Sequence, residues 1–156
     1  MPTPNERRFL MKKRIKIAFA CYLVAIIIIA AFGVIYLFRS EFMPYHASAV
    51  GKPWAEVSPS FQVLILAMMK AIGGTCLTVV MLELILLLIP FRQGFAWARW
   101  AIPFGGILIS TGSLYAMLFV GMNTSASPPY FAPVLALSVI LIGMALSIKK
   151  PKVIEA

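Results

Sequence analysis

The chain has 156 residues, enough for one domain, yet 62% of them are hydrophobic and only 12% are charged. Soluble domains are about half apolar and about a quarter charged, and here not one charged side chain stands between Arg99 and Lys149. A bilayer-crossing helix needs roughly 20 apolar residues in succession, so the composition excludes a soluble fold and defines a single membrane domain over 1–156.

Residues 1–16 read as a basic tail, with Arg7, Arg8, Lys12, Lys13, Arg14 and Lys16 ahead of the first apolar run. The first span is expected over 17–38. It exceeds the ~7–15 residue apolar core of a signal peptide and lacks a small-x-small cleavage site, so it reads as a retained helix.

Residues 42–59, within the loop 39–58 and its junction with the second span, are the most polar stretch between two apolar runs, and they hold the sole histidine, His46, with Lys52, Trp54 and Glu56. Pro44 suits the first turn of a short helix over 44–50, with Gly51 as its stop. Phe42, Tyr45 and Ala49 share one side, so this helix is expected to lie along the membrane surface as a lid. Trp54 then stands at headgroup level.

The second span is expected over 59–89, with Ser58 as N-cap, Pro59 at the first helical position and Pro90 as the stop. It carries two ionisable residues at membrane depth, Lys70 and Glu83, and such residues are functional hypotheses by default. Their 13-residue separation places them roughly 20 Å apart along the axis and about 140° apart around it, too far to pair. Ala67, Ala71, Gly74 and Thr78 form a small-residue stripe expected to pack against another helix, with Lys70 on its flank and Ser113 and Tyr115 at similar depth. Glu83 lies nearer the other end, where Tyr22 and Arg99 are the expected neighbours.

The third span is expected over 100–122 and the fourth over 130–148, with Pro133 in its first turn. A solvated tail, 149–156, closes the chain. With the N-terminus inside, eleven basic residues (the six above with Arg92, Arg99, Lys149, Lys150 and Lys152) face the cytoplasm, against Arg39 and Lys52 outside. That asymmetry predicts cytoplasmic termini in an inner (plasma) membrane. Trp97 and Trp100 fall where an inner aromatic belt would lie, Trp54 and Tyr130 where an outer one would.

The expected fold is an all-α, antiparallel four-helix membrane bundle with a short extracytoplasmic interfacial helix between spans 1 and 2. One histidine and no aspartate cannot assemble a haem or metal site, so no cofactor is expected. Cys21 and Cys76 lie in different spans and read as apolar fillers. Neither a nucleophile elbow nor a phosphate loop occurs. The candidate polar cluster is Tyr45, His46, Trp54, Glu56 and Lys70, with His46, Glu56 and Lys70 converging beneath the lid if it is a pocket rather than a cover; Glu83 is the intramembrane carboxylate. The basic flanks imply the bilayer and its anionic headgroups as partners, with a larger membrane complex or homo-oligomer beyond it, and no nucleic acid. The favoured reading is a non-enzymatic accessory or structural subunit. A small-solute or proton-linked transporter using Lys70 and Glu83 comes second, and a lipid- or quinone-acting enzyme with an outer-face site third.

Overall fold

The computed structural model describes residues 4–148, with side chains from residue 12 onward. The side chains of Arg7 and Arg8 and the expected tail 149–156 lie outside the described residues.

Helix α1 runs Pro4–Phe38, starting well before the apolar run because residues 5–16 contain neither glycine nor proline to break it. The short helix α2, Pro44–Val50, has proline in its first turn and Gly51 in the left-handed region at φ 73°, as the sequence requires. A 3-10 turn, Trp54–Glu56, leads into α3, Pro59–Leu86. Helices α4, Ala98–Asn123, and α5, Phe131–Ile148, complete the chain, and no strand occurs among the described residues. Lys12–Phe38, Pro59–Phe91, Ala98–Asn123 and Phe131–Ile148 are each long and apolar enough to cross a membrane. The molecule is an all-helical, multi-pass membrane protein.

At the start of α3 the N-cap position and the proline after it are as expected, and at its end one expectation is corrected. Ser58 has the extended backbone of an N-cap but makes no side-chain cap bond; Gln62 Nε2 instead donates to the Trp54 carbonyl at 2.8 Å, tying the helix start to the preceding turn. Pro90 does not stop the span. The chain passes through it in a widened π turn, Leu87–Phe91, whose altered register accommodates the N–H that proline lacks.

Helix α1 packs against both α3 and α5, and α4 against α5, while α3 and α4 touch over less of their length. The expected small-residue stripe on α3 is not the seam: Ala67, Ala71 and Thr78 are exposed, and nothing lies within 4 Å of where a Gly74 Cβ would sit. The buried face, one residue around, is Met69, Gly73, Cys76, Val80 and Glu83. A Cβ on Gly73 would meet the Leu37 backbone nitrogen at 2.6 Å and the Gly33 carbonyl at 2.7 Å. Backbone-to-backbone approach of this kind is how spans pack without a hydrophobic drive between them.

The main core gathers Ala18, Tyr22, Ile26, Cys76, Leu87, Phe91, Ile102 and Ile140. A second cluster, Tyr36, Phe42, Val57 and Met69, fastens the lid, with Trp54 edge-on to Phe42 at 4.9 Å.

Candidate functional site

Where α3 and α4 part at their lid-side ends, a cavity of about 380 Å³ opens between them, with α2 as its roof. Ile65, Met69 and Ile72 of α3 form one wall, Ala116, Met117 and Val120 of α4 the other, and Tyr36, Tyr45 and His46 its polar end. Small-molecule sites occupy ~300–1,000 Å³ and are largely apolar with a few placed polar groups. The exposed side chains of Met68 and Ile72 at its rim mark an opening to the side, toward lipid.

The polar end is built from two helices. The Tyr36 hydroxyl, in the last turns of α1, is hydrogen-bonded to the Tyr45 hydroxyl on α2. One hydroxyl hydrogen is used between them and the other remains available to donate. The His46 ring lies 4.2 Å, centroid to centroid, from Tyr45 and edge-on to Tyr36. Its Nδ1 accepts the Met43 backbone N–H at 3.3 Å, which assigns the ring proton to Nε2 and leaves a second donor.

Burial, and secondarily the Arg39 guanidinium, hold His46 below its usual 6.5. A protonated ring would also lose the Met43 bond, since imidazolium accepts nothing. The unfolded lid takes up a proton that the folded lid refuses, so the contribution is present above about 6.5 and declines as pH falls below it. Proteolysis at the lid is therefore expected to accelerate on acidification in the parent protein and to lose that dependence in His46→Gln. An equal pH dependence in both would remove His46 from the explanation.

The other predicted residues do not join this group. Glu56 is exposed at the end of the 3-10 turn, and Lys70 is exposed on α3. Among the described residues no ion pair links Glu56, Lys70 or His46. Lys70 Nζ donates to the Leu37 carbonyl at 3.0 Å. That oxygen is in the last turn of α1, where carbonyls lack helical partners and cations are favoured. Trp54 belongs to the lid's packing, through Phe42. Tyr115, matched to Lys70 in depth, is 70% exposed on the far side of α4.

Glu83 is only 4% exposed. Its expected neighbours are engaged elsewhere: the Tyr22 hydroxyl pairs with Ser147 Oγ at 3.0 Å, and Arg99 donates to the Ser147 carbonyl at 3.4 Å. Glu83 Oε1 has no hydrogen-bond partner among the described residues. The carboxyl lies against Gly105 and Gly106 of α4, with Oε1 3.0 and 3.2 Å from where their Cβ atoms would be. The Gly105–Gly106 pair is thus the cradle of a carboxyl.

Two contributors, Tyr36 and Ser110, escaped the sequence reading, and Ser113 was placed only by its depth. Tyr36 is one of two tyrosines, with Tyr22, in the first apolar run. Ser110, 4% exposed and without a partner for Oγ, and Ser113 belong to α4. Gly106, Ser110 and Ser113, at spacings of four and three, form one helical face, a pattern that could have revealed them. No family model, curated protein or solved structure matches the chain.

Proposed function

We propose that the chain is a non-enzymatic protein of the inner (plasma) membrane, with cytoplasmic termini and the lid outside, that holds one neutral bilayer amphiphile beneath the lid. The cavity carries this reading: its apolar walls suit a chain, its side opening meets lipid, and its polar end offers the uncharged donors of His46 and the Tyr36–Tyr45 pair to a carbonyl-type oxygen. An accessory rather than catalytic role is supported by where reactive groups are spent, His46 Nδ1 on the lid backbone and Lys70 on the end of α1. The basic asymmetry between the two sides supports the orientation.

Native mass spectrometry of the detergent-purified protein tests it. The parent is expected to retain one amphiphile per chain and Ala116→Trp, which fills the cavity, to lose it. Ala71→Trp, on an exposed face of α3, should retain it. Equal retention by both tryptophan variants would refute the cavity as the site.

A further inference from the structure

A second, smaller cavity of about 30 Å³ lies at the centre of the bundle, bordered by Cys76, Ser110, Ser113, Met117 and Pro133. Space for a water requires roughly 10–15 Å³ on this measure, together with polar partners. Ser110, whose hydroxyl has no partner among the described residues, is one of the residues bordering it. Phe32, Ser113 and Met117 border this cavity and the lid cavity alike, so the two are neighbours. In the other direction Gly106 is one turn from Ser110, roughly 6 Å along α4, and it touches Glu83 Oε1. A run of small and polar positions therefore leads from the lid cavity to an unpartnered carboxyl.

The opposite side is built differently. One turn beyond Glu83 comes Leu87, fully buried, and then Phe91, whose ring meets that of Tyr22 edge-on at 5.6 Å. Phe19 flanks the same ring. This plug belongs to the π turn, and such irregular turns are frequent at functional sites.

We propose that Glu83 is a proton-exchanging carboxyl reached from the lid cavity along Ser113 and Ser110 and closed from the opposite face by Leu87, Phe91 and Tyr22. The carboxyl gives one proton to water in the path and takes one back, with no other bond changed. Among groups able to carry charge on the surrounding elements, Tyr22 of α1 and Arg99 of α4 are held by Ser147. Cys21 of α1 lies against Gly143 of α5, and Cys76, on α3 itself, against Gly33. Helix α5 and the π turn contribute none. The inference needs the cavities but not an amphiphile, so it stands or falls apart from the function proposed above.

The test is infrared spectroscopy of the full chain in sealed phosphatidylcholine vesicles, captured lid-outward through a biotin at Ser40→Cys. The Glu83 carboxyl band is isolated by subtracting the Glu83→Gln spectrum. A pH step on the lid side is expected to change the band quickly, and the same step on the opposite side slowly. Ser113→Leu, or Met117→Phe as a second plug, should slow the lid-side response about tenfold, a barrier of ~1.4 kcal/mol, while Gly74→Leu, which borders neither cavity, should not. A faster response from the opposite side, no response from either, or an unslowed response in folded plugged variants would overturn the proposal. Sidedness in the unplugged chain decides even where both plugs misfold.

Discussion

Gly73→Leu is expected to abolish the folded bundle, whereas Gly74→Leu, one residue along, is expected to leave it intact. At position 73 the first added carbon would sit 2.6 Å from a backbone nitrogen of α1 and 2.7 Å from a backbone carbonyl. Neither can yield without separating α1 from α3. Overpacking typically costs 1–3 kcal/mol, occasionally more, when side chains can shift. Here backbone must move along a whole crossing, so a loss of about 3 kcal/mol or more is expected. At position 74 the added carbon would meet no neighbouring atom within 4 Å, so a leucine side chain starts in open space. Resistance to unfolding by dodecyl sulfate, followed by circular dichroism, distinguishes the two. Equal tolerance at both positions would mean that α1 and α3 do not cross at Gly33 and Gly73.

This pair also shows where sequence reading reaches its limit. The stripe Ala67, Ala71, Gly74 and Thr78 has the spacing of a helix seam, but so does the face 100° away through Gly73 and Cys76. When every surface is apolar, spacing cannot say which face meets protein and which meets lipid. The four spans were legible because length and hydropathy are local properties, and the lid because Pro44 and Gly51 have strong conformational demands. The cavity was not legible. It depends on α3 and α4 diverging, and on Tyr36 reaching Tyr45 nine residues later across a change of direction. Lys70 shows the same limit: its partner is a backbone carbonyl 33 residues earlier, and no side-chain inventory contains it.

Glu83→Met is expected to make the protein more stable, by about 1–3 kcal/mol, the usual cost of a buried polar group left unsatisfied. Methionine is close to glutamate in length and flexible enough to lie along Gly105 and Gly106 as the carboxyl does. It keeps the packing and removes an oxygen that no described residue serves. A glutamate kept for structure would behave in the opposite way. If a partner held it, its removal would orphan that partner and destabilise the bundle by several kcal/mol, as breaking a buried pair does. Thermal unfolding in one detergent at one pH, comparing parent, Glu83→Met and Glu83→Gln, separates these outcomes. Gain in Glu83→Met with little change in Glu83→Gln would mark a carboxyl maintained at the expense of stability, the signature of a residue retained for function. A loss in Glu83→Met matching that of ordinary core truncations would assign the carboxyl to the scaffold and remove the main support for its role in proton exchange.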